Sequence, residues 1–231
     1  MREFLSENYK YLFFVVGYLV SIPIAWHWRN VSGIKSKSKL IIVYLVITVA
    51  GILGARFLGV IEKWMVGQDG GFRLFGSFFF MPPIMFLCAH WLRINSRGFF
   101  DVVSLTILTT FFLFRINCYT QGCCEGIRLF GTGFKWPSRE LELLFCIIVF
   151  PITWKNLDKD DLRGQLFPKL MISYGLYRFV AEWFREGTNL GLGLHMAHFW
   201  AIICVILGSS VYGELRAQAS KRKQNARQRR A

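Results

Sequence analysis

Seven separated runs of apolar residues, each near the length a helix needs to cross a bilayer, constrain this chain more than any other feature. A span takes roughly 20 apolar residues to cover about 30 Å of hydrocarbon. The runs lie at about 11–29, 39–60, 74–92, 99–115, 139–154, 166–184 and 195–213. The fifth is short, and Lys169 and Arg178 interrupt the sixth. Backbone polar groups have no water to bond inside lipid, so segments of this kind fold as helices whose bonds are internal. The expected fold is an all-α membrane protein, a bundle of about seven transmembrane helices. Of 231 residues, 54% are hydrophobic and 17% aromatic, too much Phe and Trp for a soluble domain of this size to hide. Pro82-Pro83 should kink the third helix, which neighbouring helices can accommodate.

A formal net charge of +14 raises the question of nucleic acid, but the distribution of the charge argues against it. Lys and Arg gather in alternate loops, as they do on the cytoplasmic side of membrane helices. Loop 29–39 holds Arg29, Lys35, Lys37 and Lys39, and loop 93–98 holds Arg93 and Arg97. Loop 155–165 holds Lys155, Lys159 and Arg163, and the segment after residue 213 is richer still. With seven spans all four segments fall on one face, which places the N-terminus outside and the C-terminus in the cytoplasm. The first run carries its positive charge after the apolar stretch, the reverse of a signal peptide, and reads as a retained span. Residues 1–213 are then one polytopic membrane domain, and 214–231 a basic cytoplasmic tail, expected to be disordered. Its Lys221–Arg230 stretch is either solvated or bound to anionic headgroups.

Charges inside apolar runs are expensive and therefore candidates for function. Arg56, Arg115, Arg178 and Glu182 all fall toward the outer side in this topology. Arg178 and Glu182 stand four residues apart, on one helix face. Arg clamps phosphate or carboxylate bidentately and keeps its charge when buried. Three arginines near the outer leaflet point to a lipid phosphate. Snorkelling to the interface with a local Arg178–Glu182 pair is the alternative.

The segment Arg115-Ile-Asn-Cys-Tyr-Thr-Gln-Gly-Cys-Cys-Glu-Gly126 resembles the signature of the prolipoprotein diacylglyceryl transferase family, in its cysteine-bearing branch. Arg115, Cys118, Gly122, Cys123, Cys124 and Gly126 match that pattern. Three more motifs follow the family's order. Gly54-Ala55-Arg56 ends the second span. Pro137-Ser138 and Glu142 match Pro-Ser-Gln-x-Tyr-Glu, with Arg139 and Leu141 as departures. Tyr174-Gly175, Arg178-Phe179, Glu182 and Arg185-Glu186 match the sixth-span motif. The likeness covers most of residues 40–210.

The resemblance implies transfer of a diacylglyceryl group from phosphatidylglycerol to the thiol of a lipobox cysteine in a prolipoprotein. The reaction would run at the outer side of the bacterial inner membrane, with no soluble cofactor, metal or nucleic acid, among membrane lipids. Arg115 and Arg178 would hold the phosphate while Glu182 orients Arg178. Arg56, Cys118, Gly122, Gly126, Ser138 and Glu142 would contact substrate. A thiol must become a thiolate to attack, and the departing phosphate needs positive charge in a low dielectric.

One departure concerns the proton. The family's Gly-Gly-x-x-Phe-His-Gly-Gly motif reads here Gly70-Gly71-Phe72-Arg73-Leu74-Phe75-Gly76-Ser77, and Phe75, in the place of that His, cannot move a proton. His198, with His195 three residues before it, is the candidate substitute; ordinary interfacial histidines are the alternative. Cys118 would bridge one of Cys123 and Cys124 if a disulfide forms. Cys88, Cys146 and Cys204 read as packing residues. Two rivals to the transferase reading are a paralogue that binds phospholipid or lipoprotein without transfer, and a transporter. No internal repeat of the kind many transporters carry supports the latter.

Overall fold

The computed structural model describes residues 2–67, 71–122, 124–128, 133–185 and 194–228, with side chains from Leu12 onward except 222, 223 and 225–227. Among the described residues the regular structure is helical, with two isolated bridges and no strand. Eight helices run α1 Arg2–His27, α2 Arg29–Ser32, α3 Lys37–Val66, α4 Leu74–Leu92, α5 Ser96–Thr120, α6 Ser138–Asn156, α7 Leu166–Glu182 and α8 Met196–Gln228. Each of the seven apolar runs falls within or mostly within one long helix, and α2 is one turn between the first two. Four helices are long and apolar enough to cross a membrane: α3, α4, α5 and α8 over Met196–Lys221. The apolar part of α1, Leu12–His27, is shorter.

The helix α4 continues through Pro82 and Pro83, which lie inside it. The segment 214–228, expected to be disordered, continues α8 as helix. A helix already nucleated in an apolar span extends cheaply through good helix formers. Local bonds support it: Gln218 Nε2 donates to Glu214 Oε1 at 3.1 Å, and Arg97 Nη2 donates to Gln218 Oε1 at 2.6 Å.

The helices meet through small residues. At the α3–α4 crossing a Cβ on Gly54 would lie 2.7 Å from the Gly76 carbonyl oxygen and 2.8 Å from Phe80 Cβ. Backbones can approach this closely only where side chains are absent, the usual device for packing helices in lipid. Ser77 Oγ adds a bond across the crossing, donating to the Gly51 carbonyl at 2.8 Å. Helix α7 packs on α8 in the same manner, with Gly175 against Val205 and the Ala201 carbonyl. The start of α7 is held from α5. Buried Asp101 accepts from the backbone N–H groups of Gly164 and Leu166, satisfying donors that a helix start leaves orphaned.

An aromatic core fixes the helices that carry the site. The Tyr174 ring of α7 lies 5.4 Å from Phe78 of α4 and 5.4 Å from Phe111 of α5, centroid to centroid. Such edge and tilted contacts pin orientation as well as burying area. At one end of the molecule Asn30, Gly33, Asn95, Arg97, Asp160, Arg163, Leu215 and Ala219 surround one cavity, so three of the basic loops and the continuation of α8 meet there. The ionisable residues singled out above lie at the other end.

Candidate functional site

A cavity of about 190 Å³ opens between α1, α3, α4, α5, α7 and α8. Its apolar wall includes Phe14, Phe72, Phe75 and Phe114, and its charged wall includes Glu62, Arg73, Arg115, Arg178 and Arg185. The charged residues stand on different elements and are each held by a partner.

Glu142 of α6 is the hub. It is 1% exposed; Arg115 Nη2 donates to its Oε1 at 2.7 Å and lies 2.6 Å from its Oε2. The Tyr174 hydroxyl donates to Oε1 at 3.1 Å, and Arg185 Nη1 lies 3.9 Å from Oε2. The aromatic core thus ends in a hydroxyl that orients the carboxylate, which in turn orients the guanidinium facing the cavity. A second pair repeats the arrangement within α7: Arg178 Nη2 lies 2.8 Å from Glu182 Oε2, four residues on. Behind Glu182 stands His195, its Nδ1 3.6 Å from Glu182 Oε1. A third cluster closes the side toward α3, where Glu62 pairs with Arg73 and accepts from Trp200 Nε1 at 2.7 Å.

Arg185 is brought in by the loop after α5. Gly126 and Arg185 form an antiparallel bridge, Ile127 N–H donates to the Phe184 carbonyl at 3.0 Å, and the Trp136 and Phe184 rings stack at 4.2 Å. Gly126 lies against the Trp136 carbonyl and within 2.8 Å of Ser138 Oγ by the place its Cβ would take, so the loop closes only without a side chain there. Burial, together with the nearby charges of Arg178 and Arg115, holds the Arg185 guanidinium below its usual pKa. An added anion would relieve this guanidinium. Farther out, Glu125 pairs with Lys135 and stands 3.4 Å from Arg139; the Lys135 bond and charge keep its carboxyl below the usual range.

The structure therefore brings together Arg115, Arg178 and Cys118 on the cavity wall, with Glu142 and Glu182 behind the two arginines. Ser138 and Gly126 lie buried at the loop closure. Gly122 occupies an exposed turn with φ +64°, a conformation glycine adopts without strain. Arg56 is exposed and off the cavity wall, its guanidinium 5.8 Å above the Phe72 ring. His198 is buried at the start of α8. Cys123, and with it one of the two bridges considered for Cys118, lies outside the described residues, as does Glu186. Cys146 and Cys204 are buried and Cys88 half-buried, as packing residues should be. Sequence reasoning missed Glu62, Arg73 and Trp200, and did not assign Tyr174 or Arg185 although both stand in a quoted motif.

Comparison with known proteins bears on what such a cavity holds. The family model described as prolipoprotein diacylglyceryl transferase matches residues 9–212. A phosphatidylglycerol–prolipoprotein diacylglyceryl transferase 2 of Clostridium perfringens is 22% identical over 239 residues, covering 90% of this chain and 93% of its own. The corresponding transferase of Bordetella parapertussis is 29% identical over 160 residues, 62% of this chain and 61% of its own. One from a Polaromonas species is 32% identical over 81 residues, 33% of this chain and 29% of its own.

Proposed function

We propose the reaction from one premise: this chain belongs to the prolipoprotein diacylglyceryl transferase family. It moves a diacylglyceryl group from phosphatidylglycerol to the thiol of a lipobox cysteine in a prolipoprotein. The site opens to the outer side of the bacterial inner membrane, on seven spans with the N-terminus outside and the C-terminus in the cytoplasm. The gathering of the basic loops at the opposite end from the arginines supports that orientation.

The observation that carries the reading is the set of Arg115, Arg178 and Arg185 on one cavity wall, with Glu142 behind Arg115 and Glu182 behind Arg178. A guanidinium held by a carboxylate behind it presents its remaining N–H groups in a fixed direction, the form of preorganisation that stabilises charge developing in a transition state. The phosphodiester of phosphatidylglycerol sits against these groups. The thiolate attacks the glyceryl carbon, the carbon–oxygen bond breaks toward phosphorus, and glycerol phosphate leaves with its added charge facing the arginines. About 190 Å³ suits a headgroup; the two acyl chains stay in the bilayer. No soluble cofactor enters this scheme. Arg56, exposed and outside the cavity wall, is at most a peripheral headgroup contact.

A second reading, binding without transfer, draws on Phe75. It is 4% exposed and packed 5.7 Å from Tyr174, a hydrocarbon where a proton acceptor is expected. Expression in cells depleted of their own transferase separates the two. Transfer predicts that a lipoprotein precursor gains the mass of a diacylglyceryl group, and that Arg115→Gln or Arg178→Gln lowers the rate by about 10²–10³. A folded, membrane-inserted protein that modifies no precursor would leave only the binding reading.

A further inference from the structure

The transfer reaction proposed above, on which this inference rests, needs a group to take the thiol's proton, and Phe75 cannot. Two histidines stand near the arginines, and the structure separates them. His198 is 1% exposed, and its Nδ1 accepts the backbone N–H of His195 at 3.0 Å. Its own backbone N–H returns a bond to the His195 carbonyl, also at 3.0 Å. A ring nitrogen that accepts carries no proton, so the neutral ring holds its proton on Nε2. That atom is buried and has no hydrogen-bond partner among the described residues. The ring lies edge-on to Trp183 at 4.8 Å and Phe179 at 5.2 Å. One nitrogen is filled and the other already protonated, so His198 has no lone pair to offer. It satisfies an orphan donor at the start of α8 and packs the start of α8 onto α7.

His195 is built the other way. Its Nδ1 faces Glu182 Oε1 at 3.6 Å, and Glu182 Oε2 meets Arg178, which lines the cavity. A carboxylate at Nδ1 favours the Nδ1–H tautomer, leaves the lone pair on Nε2, and stabilises the imidazolium once it forms. The contact is long for a hydrogen bond, as such contacts are before substrate closes the site.

We propose that His195, oriented by Glu182, accepts the proton of the lipobox thiol. The S–H proton passes to His195 Nε2 and the sulfur pair forms the bond to the glyceryl carbon. The carbon–oxygen bond breaks with its electrons going to the phosphate, and the imidazolium later returns its proton to water. The charged and titratable groups that face it are Glu182 and Arg178 from α7 and the His198 ring of α8, at a centroid distance of 5.6 Å.

The test uses the full chain in vesicles containing phosphatidylglycerol, with a lipobox peptide as acceptor and the rate followed against pH. Wild type should gain rate as pH rises, because only the neutral imidazole can accept the thiol's proton. His195→Gln should lose about 10²–10⁴ in rate and the acid limb with it. Glu182→Gln should shift that limb to lower pH, because the neutral amide no longer supports the imidazolium. His198→Gln should lower the thermal midpoint and keep the limb where it is. His195→Ala with added imidazole should regain rate in proportion to free imidazole base, which a purely structural loss would not do. A His195→Gln enzyme with wild-type rate and limb, or loss of the limb in His198→Gln instead, would overturn the assignment while leaving the transferase reading intact. A wild-type chain inert at every pH would bring down that reading, and this assignment with it.

Discussion

Removing the charge of Glu142 should unfold the site before it impairs any chemistry. The carboxylate is 1% exposed and faces the buried Arg115 guanidinium at 2.6 and 2.7 Å, with the Tyr174 hydroxyl donating at 3.1 Å and the Arg185 guanidinium 3.9 Å away. Glu142→Gln keeps the volume and one acceptor but turns an N–H₂ group toward a guanidinium and leaves Arg115 charged in a low dielectric. Breaking one side of a buried ion pair costs about 3–5 kcal/mol. At about 2–4 °C per kcal/mol for a chain of this length, the thermal midpoint should fall by roughly 6–20 °C.

The assay is a thermal scan of the purified protein in detergent at one fixed scan rate, because unfolding of such proteins is often irreversible and midpoints then depend on rate. Arg115→Met alone should also be destabilising, since it removes the guanidinium paired with Glu142 and leaves the more distant charges of Arg178 and Arg185 and the Tyr174 hydroxyl. The double variant Glu142→Gln with Arg115→Met should recover at least half of the loss, because apolar replacement of a whole buried pair is often neutral. A Glu142→Gln midpoint within about 2 °C of wild type, less than the shift of one kcal/mol, would refute the counter-ion argument. So would a double variant worse than the sum of the single ones.

Three further outcomes follow from single contacts. Gly126→Ala places a methyl group against the Trp136 carbonyl and Ser138 Oγ, so it should cost about 1–3 kcal/mol in stability and weaken transfer by displacing Arg185; limited proteolysis of the loop would report it. Arg185→Lys keeps the charge but loses the fork, and the half-saturating phosphatidylglycerol concentration should rise about tenfold, or about 1.4 kcal/mol. Arg56→Gln should change it less than about twofold. Asp101→Ala removes the acceptor for the Gly164 and Leu166 N–H groups and should cost about 3 kcal/mol, read as a lower midpoint, whereas Asp160→Asn, at an exposed carboxylate, should stay within about 0.5 kcal/mol.

The helices were legible because apolarity marks hydrocarbon depth, and the seven runs each lie on a helix. Apolarity does not mark where a helix stops. Helix α3 runs to Val66, six residues past the expected end, ending on the left-handed Gly67, whose N–H bonds the Lys63 carbonyl. For the same reason the basic tail looked disordered, although charge density says nothing against a helix that is already nucleated. Within the site, Arg115, Arg178 and Glu182 were visible as charges inside apolar runs. Glu62 and Arg73 were not, since each sits just beyond a run and they meet only when the chain reverses between α3 and α4. Asp101 lay inside a run but near its edge, where a carboxylate reads as interfacial; its partners 63 and 65 residues away have no sequence signal. In the sequence His198 came first, with His195 three residues before it. The hydrogen bond to His198 Nδ1 and the Glu182 carboxylate facing His195 tell them apart.

The charges also constrain one another in a way that joins the clamp to the base. Among the described residues the cluster sets Arg73, Arg115, Arg178 and Arg185 against Glu62, Glu142 and Glu182, four positive charges against three negative and so one in excess. A phosphodiester would bring one negative charge, so in the proposed reaction the described cluster with its lipid would be neutral. When the carbon–oxygen bond breaks, the departing phosphate monoester approaches a charge of about −2. A proton taken away to bulk water would leave the site one charge short, in a medium where separation is costly. A proton held on His195 adds the missing positive charge within the same cluster, through Glu182 and Arg178. In the proposed reaction the base would therefore sit beside the arginines, and a carboxylate such as Glu62 would serve equally only by giving up its pairing with Arg73. The imidazole gains a charge that Glu182 is already placed to meet.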